Sequence, residues 1–147
     1  MEKRPFFNLD LRTPIVYQKD SAQGHEDTEA GEIEERLLCF ELNPTQSRSI
    51  EPVKEQFLGN LVFFGTKSLN PPSELGVSLP TGHYLFVQSR GNAPMEKDEW
   101  LDMAIELQKD GLWERNKPGN LLYVRFLHED GMIVTQIFRP VEKIDVV

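Results

Sequence analysis

An arginine and a glutamine, each two residues from an aromatic side chain, are the residues of this sequence best suited to recognise a ligand. Asp130-Gly131 separates two runs of β-forming residues, and both residues tolerate the positive φ of a two-residue hairpin turn. Pairing outward from that turn places Arg125 opposite Gln136 and Tyr123 opposite Phe138 on one face of the hairpin. Hydrogen-bonding groups bordered by aromatic rings can hold a flat small molecule by burial and orientation.

The opposite face of the same hairpin is mainly apolar, which predicts that it covers a core. Its expected cross-strand pairs are Leu122 with Arg139, Val124 with Ile137, Phe126 with Thr135, and His128 with Ile133. The one clear helical pattern, 95–110, carries an apolar stripe that includes Trp100, and it is followed by Gly111, a residue type that often ends helices. We expect this stripe to pack on the apolar face, so that the face with Arg125 is turned away from the helix.

Three more residues are candidate ligand contacts. Tyr84 lies in a predicted strand, Trp113 follows the helix, and Glu41 lies in a strand among apolar neighbours. For the aromatic candidates the alternative is a place in the core, and for Glu41 it is an exposed position. If Glu41 points into the same groove as Gln136, its carboxylate would need a partner there and would add a negative charge.

The remaining pattern predicts one α+β domain over residues 1–147, in which a helix packs on one face of an antiparallel sheet. The second half has the order strand, helix, strand, strand, and it stays open whether the first half completes an imperfect two-fold repeat. Further strands are predicted at 5–18 with a break at Pro14, at 37–42, at 60–67 and at 83–90, and one or two helical turns at 50–57.

The apolar run 61–64 predicts a strand that is buried on both faces or nearly so. The polar segments predict connections instead. Residues 19–36 are predicted to form an acidic flexible loop, 116–120 a turn-rich loop and 142–147 a polar tail.

Composition excludes several classes of protein. The 147 residues carry a formal charge of −8 with no basic stripe, which argues against direct nucleic-acid binding. The sequence contains no apolar run of about 18 residues, so we expect no membrane span. It also has no signal-like apolar run after Met1, and we therefore expect a cytoplasmic protein. Cys39 is the single cysteine, so no internal disulfide is predicted. No cysteines and histidines stand at metal-ligand spacing, so we expect no metal. The sequence contains no glycine-rich phosphate-binding motif, so we expect no cofactor.

Catalysis has little support in the sequence. The three histidines lie in unrelated contexts, and no serine or cysteine nucleophile occupies a strand-turn-helix elbow. An enzyme would need a carboxylate sequestered from water in the groove. Glu41 and Glu106 are the candidates for such a base, beside Tyr123 or Trp113.

Two short motifs and the helix between them carry a resemblance to a known family. The motifs are Leu79-Pro80-Thr81-Gly82-His83-Tyr84, at the start of a strand, and Val134-Thr135-Gln136-Ile137-Phe138-Arg139-Pro140-Val141, in the last strand. Over residues 60–141 the chain resembles the gyrase-inhibitor-like (GyrI-like) family of small-molecule-binding domains, whereas residues 1–59 show hardly any likeness. The resemblance implies two strand-helix-strand-strand units in one sheet, with both helices on one side and a ligand groove between the units on the other.

The resemblance also implies a ligand class and a setting. Such domains include effector domains of multidrug-responsive activators, stand-alone drug-sequestering proteins and a few hydrolase-like enzymes. The family's acidic residue in the last strand, which commonly faces a cationic ligand, corresponds to Gln136 here, and an amide cannot neutralise a cation. With Arg125 opposite, the groove would instead favour a neutral or anionic ligand. The helix-turn-helix of the regulators is missing, which implies a stand-alone domain.

We therefore expect a non-catalytic domain, either a sensor or a sequestering protein, that holds an apolar or aromatic small molecule on the open face of its sheet. Two alternatives stay open. One is a hydrolase-like enzyme of the same family that uses a carboxylate in the groove. The other is a protein-interaction module whose acidic segment 26–35 engages a basic partner.

Overall fold

The computed structural model describes residues 6–20, 35–67, 76–111 and 116–143. Within these ranges the chain forms nine strands and three helices. They are β1 (Phe7–Leu11), β2 (Ile15–Asp20), β3 (Glu35–Leu42), α1 (Pro44–Ser47), α2 (Lys54–Phe57), β4 (Leu58–Lys67), β5 (Gly76–Leu79), β6 (Gly82–Gly91), α3 (Lys97–Gly111), β7 (Asn116–Pro118), β8 (Leu121–Glu129) and β9 (Met132–Lys143). No helix within the described ranges is long and apolar enough to cross a membrane.

The strands form one antiparallel sheet that dominates an α+β fold and curls into a half-barrel. Its strand order is β1-β6-β9-β8-β3-β4-β2-β5, and β7 pairs with the far end of β9. Only residues 12–14 connect β1, at one edge, to β2, which lies next to the other edge. Because four steps along an extended chain span at most about 14 Å, the sheet must bend until its two edges approach each other.

The strand order is symmetric about the junction between β8 and β3. On one side it continues β8-β9-β6, and on the other side it continues β3-β4-β2, with β1 and β5 as the outermost strands. The junction itself is a long antiparallel ladder in which Leu37 faces Arg125 and Cys39 faces Tyr123. Each half of the sheet therefore presents three strands in the same relative arrangement.

The predicted hairpin between β8 and β9 is confirmed. Asp130 and Gly131 have φ values of 52° and 77°, which a two-residue hairpin turn requires. Arg125 pairs with Gln136 and Tyr123 with Phe138, as expected from the turn. The predicted pairs of Val124, Phe126 and His128 on the opposite face are also present. The β8–β9 pairing in the structure ends at Tyr123 and Phe138, one residue short of the expected pair of Leu122 with Arg139.

Two hydrophobic clusters lie on opposite faces of the sheet. The outer cluster joins α3 to the sheet through Trp100, Met103 and Leu107, which are buried together with Val124 and Ile137. The inner cluster lies in the concavity of the half-barrel and is rich in aromatic residues. The face of the hairpin that carries Tyr123 and Phe138 therefore points away from α3, as the sequence pattern predicted.

The apolar run 61–64 is not buried on both faces, and a β-bulge is the reason. Phe63 pairs with Cys39 and Leu61 with Phe40, so Val62 is an extra residue that has no partner across the ladder. Its side chain is 49% exposed. The bulge also reverses the alternation of faces along β4, which a simple period of two does not anticipate.

Several predicted boundaries are wrong because strand pairing extends them. Residues 116–118 and 141–143 pair as β7 and β9, so the predicted loop at 116–120 and the tail at 142–147 both begin as strand. The loop predicted at 19–36 loses two residues at each end to β2 and β3. The rest of that loop, 21–34, lies outside the described residues. Helix α1 and strand β5 were not predicted, because four-residue elements carry too little periodicity.

Candidate ligand site on the inner face of the sheet

Six aromatic rings form a continuous row across the inner face. Successive ring centroids along the row lie 5.4–6.3 Å apart, which is the contact range of aromatic pairs. Phe86 stacks on Phe138 at an interplanar angle of 20°, whereas Tyr84 meets both Phe138 and Tyr123 edge-on. In order, the rings are Phe7, Phe86, Phe138, Tyr84, Tyr123 and Phe63.

The aromatic row is buried at its centre and exposed towards its ends, most of all at Phe7, whereas Phe63 at the other end is partly buried. Tyr84, Tyr123 and Phe138 are 2%, 4% and 3% exposed. Phe86 is half-buried, and Phe7, on the edge strand β1, is 50% exposed. The three aromatic residues that the sequence singled out on β6, β8 and β9 thus form the floor of the inner face, while the accessible ring surface lies towards Phe7.

A polar row runs beside the aromatic row, one step further along the strands. Gln136 Nε2 donates to Gln88 Oε1 at 3.0 Å, and Arg125 Nη1 donates to Gln136 Oε1 at 3.1 Å. On the other side, Arg125 Nε donates to the Tyr17 hydroxyl at 2.7 Å and Arg125 Nη2 to Glu35 Oε2 at 3.0 Å. The row therefore crosses the β8–β3 junction and links both halves of the sheet.

The predicted cross-strand pairing of Arg125 with Gln136 is confirmed. Glu35, Tyr17 and Gln88, which also belong to the polar row, were not among the predicted site residues. Arg125 reaches Glu35 and Tyr17 across 90 and 108 positions of sequence. The only signal that could have found Gln88 is the alternation of faces in the predicted strand 83–90, which places it on the same face as Tyr84.

The polar row holds one positive and one negative group in contact. The side chains of Arg125 and Glu35 are 15% and 16% exposed and form an ion pair. Burial acts to lower the pKa of Arg125, but the neighbouring Tyr17 and Glu35 outweigh it and raise that pKa, so the guanidinium stays charged. Burial is also the main cause that raises the pKa of Tyr17, whose neutral hydroxyl donates to Glu35 Oε2 at 2.8 Å.

The guanidinium of Arg125 has hydrogen-bonding capacity left. A guanidinium carries five N–H groups, and the contacts to Tyr17, Gln136 and Glu35 use three of them. For the other two, no acceptor is present in the described part of the chain. The Arg125 side chain is 15% exposed, so a molecule that reaches the polar row can accept from these donors.

Tyrosine hydroxyls and a thiol lie among the buried aromatic rings. The Tyr84 hydroxyl donates to the carbonyl of Pro80 at 2.6 Å, and burial raises the Tyr84 pKa to about 12. Burial also raises the pKa of the Cys39 thiol to about 12, and its hydrogen bond with Tyr123 opposes this shift. Cys39 is therefore a protonated, enclosed thiol rather than a nucleophile.

The remaining predicted site residues belong to neither row. Glu41 is exposed near the end of β3 and pairs with Leu121 rather than with the polar row. Glu106 lies on α3 beside Phe6 and Val87, on the opposite face of the sheet from Tyr123. Trp113 lies outside the described residues. Cys39 pairs with Tyr123 and Glu41 with Leu121, so Glu41 is diagonal to Tyr123 on the inner face, but no hydrogen bond joins the two side chains in the described part of the chain. Glu106 is separated from Tyr123 by the sheet.

Comparison of the chain with family models, curated proteins and solved structures gives no match. The GyrI-like resemblance thus remains a hypothesis that depends on the two motifs.

Proposed function

We propose that the protein is a non-catalytic binding domain, a sensor or a sequestering protein, whose inner sheet face holds a small, flat, uncharged molecule with an aromatic body and a polar edge. The observation that supports this proposal most is the side-by-side arrangement of the two rows. An aromatic ligand lying along Phe7 and Phe86 would extend the ring row, and its polar edge would lie towards Gln88, Gln136 and the unused donors of Arg125.

The charge of the site favours an uncharged ligand over an ionic one. Arg125 and Glu35 already neutralise each other at 3.0 Å. An anion that accepts from the remaining N–H groups of Arg125 would lie close to the Glu35 carboxylate, and a cation at Glu35 would lie close to the Arg125 guanidinium, so either ion meets a like charge. A carbonyl or amide group can accept from the same N–H groups without that repulsion.

The symmetric strand order supports the repeat that the GyrI-like resemblance implies. In this proposal β6, α3, β8 and β9 form one unit and β2, β3 and β4 belong to the other, and the two units meet at the β8–β3 junction. The resemblance implies a ligand groove between the units, and the polar row leads from that junction to Gln88 on β6, beside Phe86, where the ligand is proposed to lie. The gyrase-inhibitor-like assignment is a separate part of the proposal, and binding of small aromatic probes tests the ligand site without testing that assignment.

Neither alternative function gains a specific observation. Glu41 is exposed to water rather than sequestered, as a catalytic base would need to be, and Glu106 lies on the opposite face of the sheet from Tyr123. The acidic segment proposed to engage a basic partner lies almost entirely outside the described residues. The binding function is therefore the one that the inner face supports best.

Three isosteric probes test the proposal: naphthalene-2-carboxamide, naphthalene-2-carboxylate and (2-naphthyl)methylammonium. A ligand that binds only the folded state raises the melting temperature, and at a hundred times its Kd it stabilises by about 2.7 kcal/mol. We expect the carboxamide to give the largest shift at equal concentration. A larger shift with either ion, or no shift with any probe, contradicts the proposed ligand class.

A matched pair of variants locates the effect. Gln136→Leu removes an amide from the polar row, and Gln56→Leu removes one from an exposed position on α2. We expect the carboxamide shift to fall in Gln136→Leu and to persist in Gln56→Leu. Equal shifts in the two variants would exclude the polar row as the site.

A further inference from the structure

A cleft lies outside the two rows, where the end of α1 meets the ribbon formed by β7 and β9. It has a volume of about 330 Å³ and contains none of the residues of the aromatic or polar rows. Its floor is largely apolar and formed by two prolines, a glycine and a valine, and charged side chains stand at its rim. The lining residues are Arg48, Lys117, Pro118, Gly119, Pro140, Val141 and Glu142.

The rim of this cleft carries more positive than negative charge. Arg48 and Lys117 are both exposed, and neither forms an ion pair with any residue that the structure describes. Glu142 is the one acidic side chain in the lining, and it lies directly across the β7–β9 ladder from Lys117. The rim therefore has a net excess of one positive charge, in a chain whose formal charge is −8.

A third cation lies directly behind the floor. Arg139 is buried, and its Nη2 donates to the carbonyl of Gly119 at 3.0 Å and to that of Ser47 at 2.6 Å. Its Nη1 donates to the side-chain oxygen of Gln108. All these acceptors are uncharged. Burial lowers the pKa of Arg139 to about 10, so it remains charged at neutral pH and is not neutralised by any carboxylate in the described ranges.

We propose that this cleft binds a small organic carboxylate, whose apolar body lies on the floor of Pro118, Pro140 and Val141 while its anionic group meets Arg48 and Lys117. The apolar floor alone would accept any hydrophobic molecule, and the rim alone would accept any anion. Their combination selects a molecule that carries both parts. Arg139 adds favourable potential from behind the floor without contacting the ligand.

Phenylacetate is the probe, and backbone amide chemical shifts of the intact protein report where it binds. We expect the largest shift changes at Gly119 and Val141. Phenylacetamide has the same ring without the charge, and inorganic phosphate has charge without the ring, so both should bind at least about fivefold more weakly than phenylacetate. Equal binding of either compound overturns the proposal.

Substitutions at exposed positions test the rim without removing buried contacts of the fold. Arg48→Gln and Lys117→Gln should each weaken phenylacetate binding about five- to tenfold, equivalent to about 1–1.4 kcal/mol. Lys109→Gln removes the same charge from an exposed position on α3 and should leave the Kd unchanged. Unchanged binding in both rim variants, or an equal loss in the Lys109 variant, contradicts a local site. These variants do not touch the inner face, so this result is independent of the naphthalene experiments.

Discussion

Arg125 Nη2 lies 3.0 Å from Glu35 Oε2, and this ion pair joins the two halves of the sheet at their junction. The two residues are diagonal rather than directly opposite in the β8–β3 ladder, since Arg125 pairs with Leu37 and Glu35 with Leu127. A long arginine side chain can reach a diagonal partner on the same face. The contact places both charges inside the concave face, next to the aromatic row.

Removal of the carboxylate from this pair should destabilise the fold. Glu35→Gln leaves the Arg125 guanidinium partly buried without its anionic partner, and we expect a loss of about 1–3 kcal/mol in the free energy of unfolding. Urea denaturation measures it. The control is Glu129→Gln, which breaks the exposed pair with Arg90 and should cost less than about 1 kcal/mol. Equal effects in the two variants would show that the inner pair has no special energetic role.

Stability should fall in alkaline solution because buried acids keep their protons in the folded state. Burial raises the pKa of Cys39 from 9.0 to about 12 and that of Tyr84 from 10.0 to about 12. As pH rises above 9, the unfolded chain loses these protons while the folded chain retains them, so unfolding becomes easier. Each such group should lower the free energy of unfolding by about 1.4 kcal/mol per pH unit once its unfolded form ionises.

Urea denaturation between pH 8 and about pH 11 measures this dependence. Tyr84→Phe removes one of the titrating groups, and its stability should fall less steeply above pH 10 than that of the wild type. A free energy of unfolding that stays constant or increases from pH 9 to about pH 11 would contradict the assignment of these groups to the buried inner face.

The β3–β4 ladder should not tolerate a side chain at Gly59. A Cβ built there lies 2.4 Å from the carbonyl oxygen of Glu41, which is backbone and cannot swing aside. Gly59→Ala should therefore lower the free energy of unfolding by about 1–3 kcal/mol. At Gly91 the nearest atom would lie at 3.7 Å, so Gly91→Ala is the control and should have a much smaller effect. Thermal unfolding of both variants checks this difference, and similar melting temperatures would refute the close approach.

Local sequence signals were sufficient where a turn or a helical stripe determines the geometry. Asp130-Gly131 fixes the register of β8 on β9, and this register alone places Arg125 beside Gln136. The spacing of apolar residues around Trp100 likewise predicted which face of α3 is buried. Both features depend on residues that are close in sequence.

The rest of the site depends on contacts that no local pattern encodes. Tyr17 and Glu35 reach Arg125 only because β2, β3 and β8 lie in one curled sheet. The bulge at Val62 shifts the alternation of faces along β4. The curvature also buries Tyr84, Tyr123 and Phe138, so the surface expected to be open forms an aromatic floor, with its accessible end at Phe7.

The most direct test of the central claim is a backbone chemical-shift titration of the intact protein with naphthalene-2-carboxamide. A ligand on the inner face should perturb the amides of β6, β8 and β9 around Gln88, Arg125 and Gln136, together with β1 near Phe7. We predict saturable changes confined to these strands, and their loss in Gln136→Leu. A ligand site on the inner face would be contradicted by perturbations centred on α3 or on the cleft between Arg48 and the β7–β9 ribbon. The absence of any perturbation at the solubility limit of the probe would also contradict it.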